Sequence, residues 1–161
     1  MGLITYKPTT PSFRKTVKID KSVLFKGRPE KNLIEELQPN SGRNNTGKIT
    51  IRHRSGGHKK KYRIINFKRN TFDKIGTVER IEYDPNRSAF IALIDYQDLK
   101  EYIIAPSDIK SGDKVISSSK TEINSGNAMK IKNIPTGTSI HNIELKPGAG
   151  GKLCRSAGSF A

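Results

Sequence analysis

The chain has 161 residues and a formal net charge of +15, from 30 Lys or Arg against 15 Asp or Glu. This length accommodates one domain or two small ones, and a hydrophobic fraction of 33% supports a core of modest size. The single cysteine excludes a disulfide framework and a cysteine-based zinc site within the chain, and no apolar run is long enough to span a bilayer.

The excess of positive charge makes a polyanion the first partner to consider. We predict no membrane partner, because no basic amphipathic helix of the membrane-surface type occurs and the N-terminus lacks the apolar core of a signal peptide. The charge is also segregated. Residues 1–29 carry +6, residues 43–70 carry +10 without one acid, residues 71–125 carry −3, and residues 126–161 carry +4. We therefore expect a folded body in the middle, with basic segments before and after it.

Taken in chain order, residues 1–48 show no lasting hydrophobic period. They predict an irregular basic arm with at most one helical turn at Leu33–Leu37. The sequence then changes to short β-forming runs, which predict strands at 49–54, 62–68, 75–84, 89–95, 100–105 and, more weakly, 113–118. Strands of this number and spacing predict a small β-barrel over residues 49–125.

The run at 75–84 departs from strict alternation between Val78 and Ile81, which indicates a β-bulge. Turn signals follow in "DPNR" (84–87) and "SGD" (111–113). Beyond Gly126, two further strand candidates at 129–132 and 139–145 indicate the first part of a second β unit.

The acid-free segment is the strongest functional signal. Lys and Arg on strands and glycine-rich loops can contact several phosphates at once, and glycine lets backbone N–H groups approach a phosphate closely. The amides of Asn44 and Asn45 can reach base edges or 2′-hydroxyls, and His53 and His58 can stack or donate. The alternative is a solvated basic loop. The lack of acids and the paired glycines favour nucleic acid, and the absence of a recognition helix pattern argues against DNA reading by a helix.

Other chemistry-bearing residues give weaker signals. The spacing of the three histidines fits no common metal motif, and Cys154 has no base placed to use it, so we expect a small buried thiol. We expect the carboxylates of Glu79, Glu82 and Asp84 to balance charge at the surface. The glycine loop at 148–152 is followed by no helix pattern, unlike a phosphate-binding loop. We therefore predict no enzyme activity, no cofactor and no metal site.

Four stretches resemble the universal large-subunit ribosomal protein L-two family: "KPTTPSFR" (7–14), "GRNNTGKITIRHRSGGHKKKYRIINFKR" (42–69), "ERIEYDPNRSAFIALI" (79–94) and "IPTGTSIHNIELKPGAGGKLCRSAGSFA" (134–161). The resemblance implies a mainly β fold. It would comprise a basic N-terminal arm (1–48), an OB-like small β-barrel (49–125) and the first part of an SH3-like β-barrel (126–161).

The resemblance also implies a function. Members are structural constituents of the large ribosomal subunit, bind large-subunit ribosomal RNA, contact neighbouring ribosomal proteins, and help to organise the peptidyl-transferase region and subunit association. A free OB-type single-stranded nucleic-acid-binding protein is the alternative, and it would need stacking platforms such as Phe67, Tyr83 and Phe90.

By motif match, Arg87 in "DPNRS" and Arg155 in "CRSAG" occupy positions that the family uses to grip RNA. The RNA-binding residues that we predict are Arg43, Asn44, Asn45, Lys48, Arg52, His53, Arg54, His58, Lys59, Lys60, Arg63, Lys68, Arg69, Arg87, Lys152 and Arg155.

The chain departs from the family pattern at three positions. Arg54 stands where an apolar residue is common, Ser55 where a glycine is usual, and Asn66 where an Asp is usual. The family continues beyond "RSAG", so we expect a second polypeptide to supply the rest of its C-terminal part. Frequent Ile, Lys and Asn suggest AT-rich codons, and we expect an organelle-encoded protein of the mitochondrial ribosome, with a bacterial cytoplasm or a plastid as alternatives.

Overall fold

The structure is a computed structural model that describes residues 2–37 and 39–161. Within these ranges the protein is mainly β, as predicted, with two 3-10 turns at Lys31–Leu33 and Ile131–Asn133. The strands are β1 (Leu3–Thr5), β2 (Val17–Ile19), β3 (Ile34–Glu36), β4 (Lys61–Arg63), β5 (Ile75–Glu82), β6 (Ile91–Asp95), β7 (Lys100–Ile104) and β8 (Lys114–Ile116).

The strands form three antiparallel sheets. β1 pairs with β2, β3 pairs with β4, and the four-stranded sheet has the order β7-β6-β5-β8. Among the described residues no sheet closes into a barrel by continuous pairing. This arrangement is consistent with an OB-like unit followed by an SH3-like one, and the predicted boundaries between them stay predictions.

The core lies on both faces of the four-stranded sheet. Ala92 and Ile94 of β6 belong to one buried cluster, and Ile91 and Leu93 of the same strand belong to a second. All four side chains are 0% exposed. A strand covered on both faces needs apolar residues at successive positions, which explains why β6 reads as a continuous apolar run rather than an alternating one.

The predicted bulge in β5 is confirmed. The register against β6 shifts between Val78 and Arg80, so that Glu79 is the extra residue. Because of this insertion, Val78 and Ile81 both point into the same buried cluster although they are three residues apart. The predicted turns at Pro85–Asn86 and at 111–112 are also present, and Gly112 has a φ of 95°.

The prediction of an irregular N-terminal arm is wrong for several segments. β1 and β2 pair with each other, and β3 replaces the helical turn expected at Leu33–Leu37. Leu24 is buried in the first core cluster, and Phe25 donates its N–H to the Ile81 carbonyl at 2.9 Å. Residues 24–36 are therefore attached to the body, because the sheet offers them apolar surface and backbone partners that a local pattern does not reveal.

Several predicted strands are also wrong or shortened. The run at 49–54 forms only a bridge from Ile49 to Arg43, and Ile49 and Ile51 are 63% and 52% exposed. The run at 62–68 is reduced to β4 and a bridge between Ile65 and Tyr102. The run at 129–132 ends in a 3-10 turn, and 139–145 contributes one bridge, from Ile143 to Leu153. Strand-forming residues need an opposing strand, and these runs lack one for most of their length.

The carboxylates expected at the surface are partly internal. Glu82 and Asp84 are 3% and 0% exposed. Glu82 accepts a hydrogen bond from Arg80 Nε at 2.7 Å and from the hydroxyl of Tyr102 at 3.0 Å. The acids are buried because each has a charged partner within the fold. In the part of the chain that the structure describes, no helix is long and apolar enough to cross a membrane.

Candidate nucleic-acid interface

The junction between the four-stranded sheet and residues 142–157 brings two arginines to one aromatic ring. The guanidinium carbon of Arg155 lies 3.8 Å from the centroid of the half-buried Phe67 ring, and that of Arg87 lies 5.6 Å from it. Both distances fall within the range of cation–π attraction. The two arginines that the family motif singled out therefore meet, although they are far apart in the sequence.

Arg87 is held in place by an internal carboxylate. Its Nε donates to Asp84 Oδ2 at 2.6 Å, and the side chain of Asp84 is fully buried. The other carboxylate oxygen accepts the backbone N–H of Asn86 at 2.9 Å. The "DPNR" turn is thus an Asx-type turn that presents the guanidinium in one orientation.

The space beside these arginines is an open groove. One part, of about 400 Å³, is lined by Arg87 and Arg155 together with Tyr62, Asn86, Ser88 and Ser156. A second part, of about 360 Å³, lies over Phe67 and is bordered by Lys68, Lys152 and again Arg155. We call the two parts together the Phe67 groove. Its walls carry cations and hydrogen-bonding groups around two aromatic rings, those of Tyr62 and Phe67. This combination can bind a phosphate and a base together.

Backbone contacts hold the two walls of the groove together. The N–H of Gly151 donates to the Phe67 carbonyl at 3.0 Å, and the N–H of Ala157 donates to the Ser88 hydroxyl at 3.1 Å. These contacts bring residues 151–157, which carry Lys152 and Arg155, against the first unit.

The basic loop, residues 42–60, lies apart from these walls as an exposed segment. The predicted RNA-binding residues that are exposed in it are Arg43, Asn44, Asn45, Lys48, Arg52, His53, Arg54, His58, Lys59 and Lys60. The loop folds back on itself, because the carbonyl of Gly42 accepts the N–H groups of Thr50 and Ile51 at 2.8 and 3.1 Å. It therefore presents its cations to solvent, where they are accessible to a polyanion.

Asn44 and Arg69 also have a role inside the protein, as Arg87 does. Asn44 Oδ1 accepts the N–H groups of Thr46 and Lys48 at 3.1 and 2.9 Å, so this oxygen holds the loop turn rather than facing a base. Arg69 points inward and donates to the Ser117 hydroxyl at 3.1 Å and to the Gly126 carbonyl at 2.9 Å. Burial lowers the pKa of Arg69. The structure does not bring Arg69 to the groove.

The remaining predicted residues divide by exposure. Lys68 and Lys152 are exposed at the rim of the groove, whereas Arg63 is half-buried and donates to the Lys61 carbonyl at 2.9 Å. The sequence reasoning missed Tyr62 and Ser156 as lining residues. Each stands beside a predicted cation, but only the fold shows that the two segments face each other.

Two of the departures from the family pattern have a structural explanation. Ser55 does not have a positive φ, so its Cβ is tolerated where glycine is usual. Asn66 donates from Nδ2 to Glu101 Oε2 at 2.8 Å, while its Oδ1 accepts the N–H groups of Lys68 and Arg69 at 3.1 and 2.8 Å. The amide of Asn66 donates a hydrogen bond to the Glu101 carboxylate, whereas an Asp at this position would repel that carboxylate. The structure contains no explanation for Arg54.

The aromatic residues do not form a shared stacking face. Phe90 is buried in the core, and the ring of Tyr83 is covered by Lys21, whose Nζ lies 3.7 Å from its centroid. Of these three rings, only Phe67 borders the groove. Cys154 is half-buried rather than buried, and within the described ranges no group of three or more His, Cys, Asp or Glu is placed to hold a metal ion.

Comparison with known proteins gives matches along most of the chain. Residues 30–117 match the family model described as "Ribosomal Proteins L2, RNA binding N-terminal domain", and residues 124–161 match "Ribosomal Proteins L2, C-terminal domain". Curated proteins called "Large ribosomal subunit protein uL2" are similar over the full chain. Identity is 58% for a Ruegeria species, 57% for Paracoccus denitrificans and 57% for Orientia tsutsugamushi. The chain spans 58%, 58% and 59% of the length of these three relatives.

Proposed function

Because this chain belongs to the ribosomal protein L2 family, we propose that it is a structural constituent of the large ribosomal subunit that binds large-subunit ribosomal RNA. The observation that carries this proposal is the convergence of Arg87 and Arg155 on the ring of Phe67, at 5.6 and 3.8 Å. The named RNA-binding domain of the family model covers Phe67 and Arg87.

We propose different tasks for the groove and for the loop, which their different geometries support. In the Phe67 groove the two guanidinium groups have defined positions, so they can fix the register of one phosphate and its base. The cations of the basic loop are exposed, and the contact of Lys59 Nζ with Glu36 Oε1, at 3.6 Å, is itself an exposed ion pair that holds the side chain weakly. They contribute long-range attraction through release of counterions from the RNA, which makes their share of the affinity depend on salt.

A structural role is favoured over a catalytic one. The functional groups that line the Phe67 groove are guanidinium, ammonium, amide and hydroxyl groups, with the aromatic rings of Tyr62 and Phe67. They lack the nucleophile–base pair that hydrolysis or group transfer needs. The alternative, a free single-strand binder, has little support because Phe90 and Tyr83 are engaged within the protein.

The proposal extends to the setting in which the protein acts. We place it beside neighbouring ribosomal proteins, with a part in organising the peptidyl-transferase region and subunit association. The ribosome is mitochondrial in this proposal, supported by the codon-related composition and compatible with relatives from alphaproteobacteria. A bacterial ribosome fits those relatives as well.

Sedimentation tests the central proposal. We expect the protein to sediment with large ribosomal subunits at moderate salt and to dissociate at high salt. Its recovery in the soluble fraction at moderate salt would refute a ribosomal role and favour the free single-strand binder.

A further inference from the structure

The loop after Ile143 closes around its own carboxylate. Glu144 Oε2 accepts the N–H of Gly148 and its Oε1 accepts the N–H of Gly150, both at 2.9 Å. The two glycines have φ angles of 76° and 84°, a conformation that side chains other than glycine rarely adopt. Between them, Ala149 donates its N–H to the Lys146 carbonyl at 3.1 Å. Backbone N–H groups of one turn that converge on an anion in this way form a concave anion-binding nest.

This loop is part of the wall of the Phe67 groove. Directly after the nest, Gly151 donates its N–H to the Phe67 carbonyl at 3.0 Å, and Lys152 donates its N–H to the Ile143 carbonyl at 2.8 Å. The chain then reaches Arg155, whose guanidinium lies over the Phe67 ring. The shape of the loop at Glu144 therefore determines where Lys152 and Arg155 stand.

The negative charge of Glu144 gives two opposite expectations for its effect on RNA binding. It is the one acid in residues 126–161, a segment with a net charge of +4 beside a proposed RNA site. Considered only as a charge, it repels phosphate, and its removal strengthens RNA binding. Considered as the anion that fills the nest, it maintains the loop conformation that places the cations.

We infer that Glu144 is a positioning residue for RNA binding, acting through the glycine nest on Lys152 and Arg155. This inference rests on the proposed function. The carboxylate takes the place in the nest that an RNA phosphate would otherwise occupy, so the nest itself is not a phosphate site. The contribution of Glu144 to RNA binding through the loop conformation outweighs the repulsion between its carboxylate and the RNA phosphates.

The test compares Glu144→Ala and Glu144→Gln with Glu122→Gln, a control that removes one acid from an exposed local contact. Binding of the full chain to large-subunit ribosomal RNA is measured over a range of salt concentrations. We expect both Glu144 variants to bind about five- to tenfold more weakly and with a salt slope smaller by about one, as the removal of one phosphate interaction predicts. The control variant should bind equally well or slightly more tightly.

A double-mutant cycle with Arg155→Ala separates positioning from general loss of structure. If Glu144 acts through Arg155, adding Glu144→Gln to Arg155→Ala should cost much less than it costs in the wild-type protein. Equal costs in both backgrounds, or Glu144 variants that bind as tightly as wild type with an unchanged slope, would overturn the inference. Failure of the wild-type protein to bind this RNA would refute the proposed function instead.

Discussion

Arg87 and Asp84 form a buried ion pair, with Arg87 Nε 2.6 Å from Asp84 Oδ2 and side chains that are 14% and 0% exposed. The same guanidinium lines the Phe67 groove. Arg87 therefore neutralises an internal charge and presents a cation to the proposed ligand at once. An Arg87 variant can therefore lose RNA binding because the groove lacks a cation, or because the protein is destabilised around Asp84. The stability of the variant has to be measured together with its affinity for RNA.

We expect Arg87→Ala to lower the free energy of unfolding by about 3 kcal/mol, since it leaves the Asp84 carboxylate buried without its charged partner. Urea denaturation measures this change. Asp84→Asn in the same background should recover part of the loss, because the uncompensated charge is then gone. Additive effects of the two substitutions would show that the pair is not coupled.

Arg155→Ala gives a cleaner test of the groove, because Arg155 is half-buried and stacks on Phe67. We expect RNA binding to weaken by about 1–3 kcal/mol, the usual effect of removing a charge-assisted hydrogen bond from an interface. Filter binding to large-subunit ribosomal RNA measures the change, and Lys120→Ala, an exposed cation outside the groove, is the control. Arg155→Lys should restore part of the affinity through its charge. Unchanged affinity of Arg155→Ala would remove this residue from the site.

Asn66→Asp should make stability depend on pH. The substitution introduces a second carboxylate beside that of Glu101, because Asn66 Nδ2 lies 2.8 Å from Glu101 Oε2. Like charges at this distance favour binding of one proton in the folded state, so the variant loses stability as the pH rises above the range in which that proton is bound. We expect a deficit of about 1–2 kcal/mol at pH 7 that shrinks towards pH 4. Thermal unfolding across this range tests the expectation, and a deficit independent of pH would contradict it.

Tyr102 predicts a loss of stability at alkaline pH. Burial, together with the charge of Glu82, raises the pKa of Tyr102 to about 12, from an ordinary value of 10.0. The folded state thus favours the protonated phenol, and its contribution is complete below pH 10.0 and is lost as the pH rises towards about 12. Phenolate absorbance should show two of the five tyrosines titrating late, Tyr102 and Tyr96, because burial raises the pKa of Tyr96 as well.

The matched variant for this experiment is Tyr102→Phe. It removes the hydrogen bonds from the phenol to Glu82 and from the N–H of Glu30 to the phenol, at 3.0 and 2.9 Å. We expect it to be about 1–2 kcal/mol less stable at pH 7 and to show one late-titrating phenol fewer than the wild-type protein, with that of Tyr96 remaining. An unchanged late absorbance change in the variant would contradict the assignment to Tyr102.

Local sequence patterns were sufficient to predict much of the central four-stranded sheet. The apolar run of β6, the irregular step between Val78 and Ile81, and the turn at Pro85–Asn86 are properties of a few consecutive residues, and all three were predicted. The run at 49–54 has the same local character, yet within it only Ile49 forms a β-bridge, to Arg43. Whether a β-forming run becomes a strand depends on a second segment, which the run itself does not encode.

Some features of the candidate site could likewise be predicted from local sequence, and others depend on the fold. The charge distribution, the acid-free segment at 43–70 and the two arginine motifs could be read from the amino-acid sequence, because charge and turn formation depend on residue type and near neighbours. Only the tertiary structure shows that Arg87 and Arg155 both contact the ring of Phe67, that Arg69 points inward, and that Asp84 is buried. These features escape local patterns because the partner and the burial of a side chain depend on segments that are distant in sequence and meet only in the folded protein.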